Sequence, residues 1–433
     1  MMDGNRLLAQ MKKLRDVETI KEVKPLTAAM FPGTHCPLMG AAMAVRGIRD
    51  SMMIIIGTDE CAYYTKHMTL HSDEYGGLNG RVVSVTLDSH DVTFGCVKKV
   101  EAAFKEVMEE YRPSAVFLVT TCVVEIIGDD FDAAADALTA AYGIPVMAVH
   151  TEHFKCENHM PGIERSITAC LPLMESMPCD GSVNLLGQRQ GNFAQTELSR
   201  VLKQAGVQIG MQLPCGCTVE EIRHAAAAKV NIVVHEIALP LARKMKARFG
   251  IPYVFFDKFV APDRIAECYR LLFEALELPM PEEIQSLYEQ AKACAGAGQE
   301  KLRGVTFIYG NTPFRCFEFS RFMVEQGMVA QIIQTAAIQD EDREDIAGIL
   351  AASDPYVTKT ANIAPLQYIY DVLHPMLYLG HEYANRLRAK GIAMVRSDGA
   401  GSMLGFECTM FAMRALTMAA DEAREIRKGG VLA

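Results

Sequence analysis

The chain has 433 residues, is 50% hydrophobic, and carries a formal net charge of −10 at pH 7. This length allows two or three α/β domains with buried cores, and the acidic balance excludes nucleic acid as the expected main partner. No apolar run is long enough to span a bilayer, and residues 1–24 lack the apolar segment of a secretory signal. We therefore expect a cytoplasmic protein without membrane contact.

The sequence contains 13 cysteines, an odd number that excludes complete intrachain pairing. Thiols of cytoplasmic proteins are kept reduced, so disulfides are not expected. Several cysteines are therefore available as metal ligands. Before the first of them, residues 1–24 form a polar, amphipathic pattern that predicts one solvent-facing or packing helix.

Three cysteines occupy the same kind of position in the first part of the chain. Cys36 lies in a loop before the small-residue helical sequence GAAMAVRG, Cys61 follows the strand-like run SMMIIIG, and Cys122 follows AVFLV. The pattern places each at a junction that leads into a helix, where free N–H groups and the helix dipole favour a thiolate. Asp129 and Asp130 then precede the next helical run and are expected to cap it.

Cysteines at the carboxyl ends of parallel strands can meet at one edge of a sheet. Thiolates are the usual ligands of iron–sulfur clusters. Zinc is the competing metal, although it favours closely spaced pairs such as Cys-x-x-Cys, which these three do not form. The simplest alternative is that each is a small buried residue without a ligand. The residues alone leave these three interpretations open.

Four segments give the chain a family resemblance. HCPLMGA, GTDECAYY, DVTFG and TTCVVEIIGDD occur in this order, and later segments such as GSVNLLGQRQGNF and GVTFIYGNTPFRCFEF extend the similarity over nearly the whole chain. They resemble the nitrogenase component 1 proteins, whose members include nitrogenase molybdenum–iron protein subunits, nitrogenase-like reductases and cofactor-assembly scaffolds. TTCVVEIIGDD is especially similar to the β-subunit version.

The resemblance implies that Cys36, Cys61 and Cys122 bind an iron–sulfur cluster, [4Fe-4S] or larger, at a subunit interface. It also implies a dimer or an α2β2-type assembly with itself or a paralogous subunit. No Walker A sequence is present, so ATP hydrolysis by that route is not expected of this chain. The resemblance assigns it to a separate homodimeric, ATP-dependent iron protein that donates electrons.

Strand-like and helical runs alternate along the rest of the chain, which predicts parallel sheets covered by helices. We expect an α/β protein of three Rossmann-like domains. Residues 1–180 form the N-terminal arm and cluster-binding domain, residues 181–300 the second domain and residues 301–433 the third. Residues 278–299 are expected to be a helix and linker into the third domain.

The chain departs from the family where the nitrogenase cofactor is bound. The resemblance places the cofactor cysteine at Glu236 and the cofactor histidine near Leu404. A carboxylate can bind iron, so Glu236 is an additional candidate ligand; the alternative is an ion pair or a helix cap. Nitrogen fixation by this chain alone is not expected, and the sequence leaves open a different metallocofactor or a tetrapyrrole substrate.

Other ligand-type residues are weaker candidates. Cys156 lies in a stretch rich in His and is a candidate fourth cluster ligand. Cys215, Cys217, His235 and Arg315 are expected to face a substrate cleft between the domains, with ordinary ion pairing as the alternative for Arg315.

The sequence thus predicts a nitrogenase-like reductase subunit that takes electrons from an iron protein and reduces a molecule in the interdomain cleft. The alternative is a non-catalytic scaffold for metallocluster assembly or transfer, and a metal-free α/β binding protein is a third hypothesis.

Overall fold

Three sheets of mainly parallel strands organise the protein, each covered by helices. The computed structural model describes residues 3–27, 35–70, 80–156, 158–189, 192–359 and 363–429. Its strands form one six-stranded and two four-stranded sheets. The expected α/β class with parallel sheets is confirmed.

The N-terminal arm contains helix α1 (Gly4–Leu8) and strand β1 (Lys12–Lys13) instead of one amphipathic helix. β1 pairs antiparallel with an edge strand of the third sheet. Leu7 and Leu14 are buried in hydrophobic clusters of the third domain. The arm's apolar side chains do not form one helical stripe, so the segment buries them as an extended arm. The structure therefore packs this arm on the third domain, although we grouped it with the first.

The first domain carries the three cysteines. Its elements are α2 (Pro37–Val45), β2 (Ser51–Gly57), α3 (Asp59–Leu70), β3 (Val82–Thr86), α4 (Ser89–Phe94), α5 (Val97–Glu110), β4 (Ala115–Thr120), α6 (Cys122–Ile127), α7 (Phe131–Tyr142), β5 (Val146–His150) and α8 (Met160–Thr168). The strand order is β3-β2-β4-β5, all parallel. The central strands β2 and β4 are buried throughout, as expected from their continuous apolar sequences.

The second domain follows the same plan. Its elements are β6 (Val183–Gln188), α9 (Glu197–Gln204), β7 (Ile209–Pro214), α10 (Val219–Arg223), β8 (Val230–Val233), α11 (Leu239–Phe249), β9 (Tyr253–Phe255) and α12 (Pro262–Leu276). The strand order is β7-β6-β8-β9, all parallel. One hydrophobic cluster joins side chains of α2 and α8 to side chains of β7 and α11, so the first two domains share a core.

The third domain closes the chain. Its elements are α13 (Glu282–Leu302), β10 (Thr306–Tyr309), α14 (Cys316–Glu325), β11 (Val329–Gln334), α15 (Arg343–Leu350), β12 (Tyr356–Thr358), α16 (Ile363–Leu373), β13 (Leu377–Leu379), α17 (Ala384–Arg388), β14 (Ala393–Val395) and α18 (Glu407–Lys428). The strand order is β1-β12-β11-β10-β13-β14, and only β1 is antiparallel.

The region predicted to be a helix and linker is instead occupied by one continuous helix, α13, which packs along α18. Small residues permit this close approach: a Cβ on Gly298 would collide with Met413. α13 is thus part of the third domain's packing. Within the described residues, no helix combines the length and apolar character needed to cross a membrane.

Candidate metal centre and interdomain cleft

Each of the three cysteines expected to bind a metal lies at the start of a helix. Cys36 is the N-terminal cap of α2, Cys61 lies in the first turn of α3, and Cys122 opens α6. Helices α3 and α6 follow β2 and β4, which are parallel neighbours. The strand order therefore brings Cys61 and Cys122 to the same edge of the sheet. Helix α2 contacts both α3 and β4 and adds Cys36.

The ends of β2 and β4 are packed tightly next to Cys122. A Cβ on Gly57 would collide with the side chain of Thr121, and the Thr121 N–H donates to Ile56 O at 3.1 Å. The Thr121 hydroxyl is buried and has no hydrogen-bond partner within the described residues. A hydroxyl next to a ligand cysteine is well placed to donate to a cluster sulfur, and such bonds tune reduction potential.

The three thiols are electrostatically coupled. All are partly buried. Burial raises the pKa of the Cys122 thiol, and negative charge on Cys61 and Cys36 raises it as well, whereas the N–H groups at the start of α6 lower it. The Thr58 hydroxyl donates to Cys61 Sγ at 3.7 Å. Mutual repulsion of three thiolates is relieved when they share a positively charged metal centre.

A set of side chains close enough to share one metal ion lies elsewhere in the first domain. Among the described residues, one group of three ligand atoms lies within 4.8 Å of one another, formed by Asp88, His90 and Asp91. Its carboxylates cap α4, and that of Asp91 is 2.6 Å from the Lys99 ammonium. The three cysteines form no such group, although a tetrahedral zinc site requires it.

Large apolar side chains are exposed on the elements around the cysteines. Tyr63, Phe94, Ile126 and Phe154 are 70–75% exposed. Tyr63 and Ile126 share helices α3 and α6 with Cys61 and Cys122, and α4, which contains Phe94, contacts α6. Contiguous exposed apolar surface of this kind marks protein interaction sites. This cysteine-face surface is defined by Tyr63, Phe94, Ile126 and Phe154.

Cys156, the candidate fourth ligand, forms its contacts within its own loop and with α8. Its Sγ lies 3.3 Å from Glu152 O and accepts from Arg165 Nη1 at 3.6 Å. Burial raises the pKa of the Cys156 thiol, and the Arg165 guanidinium lowers it. Arg165 also pairs with Glu152 at 2.7 Å. The Cys156 thiol is therefore held by contacts within its loop and with α8, and its role as a fourth ligand stays a prediction.

A chain of polar rings runs from the cysteines toward the cleft between the domains. The Tyr64 hydroxyl is hydrogen-bonded to His35 Nδ1, next to Cys36. The His35 ring lies edge-on to the His159 ring, with centroids 6.2 Å apart. Burial, together with the charge on Arg189, lowers the pKa of His159 to about 4, so this imidazole is neutral at pH 7. These side chains connect the first domain to Arg189 of the second.

An ion-pair network joins the second and third domains in the cleft. Arg315, the cap residue of α14, is 3.0 Å from Glu236 and 3.8 Å from Asp257, and it also binds Asp342. Burial raises the pKa of Glu236 to about 7, against the opposing effect of the Arg315 guanidinium. The structure therefore gives Glu236, a candidate metal ligand from its sequence position, an arginine partner in the third domain. Arg315 is likewise occupied by carboxylates of the chain.

His235 precedes Glu236 and lies in the same cleft. Its Nδ1 accepts from the Ile237 N–H at 3.3 Å. Burial and the nearby cations lower the pKa of His235 well below its usual range, so the ring is neutral. Gly187 has a positive φ of 96°, and a Cβ there would lie 3.0 Å from the backbone nitrogen of His235. Glycine thus permits the end of β6 to approach this histidine.

The structure places Cys215 and Cys217 away from this network, at the junction with the first domain. Both follow β7, which is an edge strand. Cys217 is 1% exposed, and its carbonyl accepts from the Arg49 N–H at 2.8 Å. We expected this pair in the cleft, but the cleft is built from the ends of β6, β8 and β9. The edge position of β7 turns its loop toward α2 instead.

Two cleft residues were not singled out from the sequence: Arg189 and Lys258. Arg189 directly follows β6, and Lys258 lies just beyond β9. The pKa values of His159, His235 and Lys258 all respond to the charge of Arg189, which places it at the centre of the group. The sequence does contain a signal for Arg189 and Lys258, because charged residues that follow buried strands lie at the binding edge of an α/β sheet.

The chain is similar to known proteins over most of its length. A family model described as "Nitrogenase component 1 type Oxidoreductase" matches residues 36–420. The nitrogenase iron-molybdenum cofactor biosynthesis protein NifE of Clostridium pasteurianum is 32% identical over 225 residues, which cover 51% of this chain and 49% of that protein. The chain thus matches about half the length of this relative.

Two further similarities extend the match. The nitrogenase molybdenum-iron protein alpha chain of Clostridium pasteurianum is 26% identical over 363 residues, which cover 78% of this chain and 67% of that protein. The solved structure "Nitrogenase Cp1 at pH 6.5" has a TM-score of 0.78 at 17% identity, and the match covers 93% of this chain and 95% of that chain. At this identity the structural likeness shows a shared fold.

Proposed function

The chain belongs to the nitrogenase component 1 type oxidoreductase family, and on that premise we propose that it is a reductase subunit with an iron–sulfur cluster on Cys36, Cys61 and Cys122. Such a cluster, a [4Fe-4S] cluster or a larger one, supplies one-electron transfer. The three cysteines would hold the cluster at the sheet edge, where the buried Thr121 hydroxyl would be available as a hydrogen-bond donor. Electrons leave toward a molecule bound in the interdomain cleft.

The observation that carries this proposal is the continuous contact between the cysteine site and the cleft. Tyr64, His35 and His159 form a line of polar rings from the residues beside Cys36 and Cys61 to Arg189. His159 Nδ1 is buried and has no partner within the described residues. We infer that this nitrogen is available to a polar group of a molecule in the cleft, which would link the two sites.

The partner proposal rests on the cysteine-face surface. Tyr63 and Ile126 are exposed on the helices that carry Cys61 and Cys122, so a second subunit that covers these side chains would lie next to the cysteines. We propose a homodimer or an α2β2 assembly with a paralogous subunit. We further propose, from family membership, that electrons come from a separate ATP-dependent homodimeric iron protein. This chain has no Walker A sequence of its own.

The residues do not fit the second metallocofactor of nitrogenase. The resemblance places its protein ligands at Glu236, which is paired with Arg315, and near Leu404, which is fully buried in the core of the second domain. An apolar side chain offers no ligand atom. Dinitrogen reduction by this chain alone is therefore not proposed.

The test is the iron and acid-labile sulfide content of anaerobically purified protein, with electron paramagnetic resonance before and after dithionite. We expect iron with a reducible signal in the wild type and a large loss of both in Cys122→Ala. Cys179→Ala is the matched control, since Cys179 is exposed and lies outside the site. Equal iron in all three proteins contradicts the proposal.

A scaffold role is the second candidate, favoured by the similarity to a relative named as a cofactor biosynthesis protein. The same cysteines then hold a metallocluster for assembly or delivery. Cluster transfer to an apo-protein, without substrate reduction in the presence of an iron protein and ATP, supports the scaffold. Substrate-dependent electron consumption under the same conditions supports the reductase.

A further inference from the structure

Strand β5 is an open edge of the first domain's sheet. Within the described residues, β4 is its one partner strand. The Val116 N–H of β4 donates to Pro145 O at 3.0 Å, so the odd-numbered residues along β5 are the ones that bond to β4 in this parallel ladder. The N–H and C=O groups of Val146, Ala148 and His150 therefore point away from β4.

Side chains close the two ends of this edge and leave its middle open. The Val146 N–H donates to the Thr139 hydroxyl at 3.0 Å, and the His150 carbonyl accepts from Arg165 Nη1 at 3.3 Å. Between them, no described residue bonds to the N–H or the C=O of Ala148. Unpaired backbone groups along a strand edge are a template for pairing with another extended segment.

A groove of about 1030 Å³ borders this edge, and every residue of β5, from Val146 to His150, lines it. Its walls come from the two faces of the sheet. Val146 packs with side chains of α7 on one face, whereas Met147 and Val149 pack with side chains of α8 on the other. Residues of both helices line the groove. The open strand edge therefore lies between two helical walls, in a space large enough for a further strand.

Carboxylates outnumber cations in this groove. Five Asp or Glu residues line it, against three Arg or Lys residues. Glu152 pairs with Arg165 at 2.7 Å. Asp136, Glu164 and Glu175 form no ion pair with any described residue. The groove thus has an excess of negative charge that favours a cationic occupant.

Two polar side chains of α8 point to the same kind of occupant. Glu164 is half-buried, and burial raises the pKa of its carboxyl against the opposing charges of Arg165 and Lys244. A further cation in the groove would stabilise its ionised form. Thr168 lies one turn beyond Glu164, and its hydroxyl is buried without a hydrogen-bond partner within the described residues. The α8 wall therefore offers a carboxylate and a hydroxyl to an incoming chain.

We propose that β5 docks an extended, lysine- or arginine-containing segment of a partner protein, which adds a fifth strand to the first domain's sheet. The segment's backbone pairs with Val146, Ala148 and His150. Side chains of a strand alternate between its two faces, so its cationic residues meet Asp136 on α7 and Glu164 on α8. No cysteine takes part, so the inference goes beyond the proposed function and does not rest on it.

The charge requirement is tested on the full-length protein with two fluorescein-labelled peptides, the basic KTVKVTK and the acidic ETVEVTE. Affinity is measured by fluorescence anisotropy. We expect the basic peptide to bind and the acidic peptide to bind about tenfold more weakly or less. Asp136→Lys should weaken binding of the basic peptide by about fivefold, since it replaces an attraction by a repulsion at an exposed site. Glu101→Lys, an equal charge reversal on the exposed face of α5, is the control and should bind as the wild type does.

A backbone-modified peptide separates strand addition from attraction between charges alone. KTVKVTK that is N-methylated at two consecutive central amides keeps its charge but loses a backbone donor in either strand orientation. It should bind about tenfold more weakly. Hydrogen exchange read by mass spectrometry locates the contact: the fragment that contains residues 146–150 should exchange more slowly with KTVKVTK bound, because the Ala148 and His150 N–H groups become hydrogen-bonded.

Four results overturn the proposal: no binding of KTVKVTK to the wild type, equal affinity of Asp136→Lys and the wild type, equal affinity of the N-methylated peptide, or slowed exchange that excludes residues 146–150. Cys122→Ala should bind KTVKVTK as the wild type does, since the groove is unchanged. An iron-containing, reducible wild type that binds no peptide keeps the proposed function and removes this inference. Peptide binding that depends on Asp136 in a protein without iron keeps the docking site and removes the reductase.

Discussion

Glu197 and Glu407 cap each other's helices across the boundary between the second and third domains. The Glu197 carboxylate accepts from the N–H groups of Phe406 at 2.8 Å and Glu407 at 3.0 Å, at the start of α18. The Glu407 carboxylate accepts from the Glu197 N–H at 3.1 Å, at the start of α9, and from the Leu404 N–H at 2.9 Å. This exchange fixes Leu404 in the second domain's core, where the family resemblance places a cofactor ligand.

Loss of this reciprocal cap should destabilise the protein. Glu197→Ala removes the acceptor for two buried N–H groups and for the Tyr269 hydroxyl at 2.9 Å. We expect a loss of about 3 kcal/mol, because buried donors are left unsatisfied. Denaturant unfolding measures the change. Glu283→Ala removes an exposed ion pair with Arg200 and should cost less than about 1 kcal/mol; an equal effect of both substitutions would falsify the assignment.

The buried carboxyl of Glu236 should make stability depend on pH. Its pKa is raised by burial from 4.5 to about 7. Between these pH values the Glu236 carboxyl binds more protons in the folded state than in the unfolded state. Its contribution to the free energy of unfolding is therefore fully present below pH 4.5 and is lost as pH rises toward 7. Glu236→Gln removes the titrating proton, and its stability should fall less across this window.

The quantity to measure is therefore the difference in the free energy of unfolding between the wild type and Glu236→Gln, obtained by denaturant unfolding at several pH values. We expect it to change by about 2 kcal/mol, less than the full pKa shift implies, because the side chain remains 31% exposed. Glu300→Gln, on an exposed part of α13, serves as the control. If the free energy of unfolding changes with pH in the same way for all three proteins, the raised pKa of Glu236 is contradicted.

The cysteine positions were predictable because they follow from local order along the chain. Cys61 and Cys122 each lie a few residues beyond an apolar run, and buried strands with helical continuations place such residues at one sheet edge. The sequence also predicted the α/β class, since alternation of strand and helix patterns survives in the structure. These features depend only on residues that are close together in the sequence.

The cleft was less predictable because it depends on strand order and long-range pairing. Sequence gives no indication that β7 is an edge strand, so Cys215 and Cys217 were expected in the cleft that Arg189 and Lys258 border. The pairing of Lys12 with Val357 likewise joins residues far apart in the chain. Local periodicity carries no information about such contacts, which explains why the arm was predicted as a helix.

The cysteine-face surface should control association. Ile126 is 71% exposed on the helix that Cys122 opens. Ile126→Glu places a charge in the proposed interface, where its burial is costly, and should shift the protein toward a smaller species in analytical ultracentrifugation. Met418→Glu is the control, since Met418 is 67% exposed on α18 of the third domain. If both variants sediment as the wild type does, this surface is not the interface.

The contact between Gly57 and Thr121 should control iron binding without touching a cysteine. A Cβ on Gly57 meets the Thr121 side chain, so Gly57→Ala must push the ends of β2 and β4 apart. Cys61 and Cys122 lie beyond these ends, and their separation should change with it. We expect Gly57→Ala to contain less iron after anaerobic purification and to melt at a lower temperature.

A second substitution tests the cause of this loss. Thr121→Gly removes the atoms that the new Cβ would meet, so the double variant Gly57→Ala/Thr121→Gly should recover iron relative to Gly57→Ala, although it lacks the Thr121 hydroxyl. Gly296→Ala, at a helix position with open space, should leave the iron content unchanged. Recovery of iron in the double variant requires coupling between the two sites, because independent effects would add. A double variant with no more iron than Gly57→Ala shows that the strand ends do not set the spacing of the cysteines.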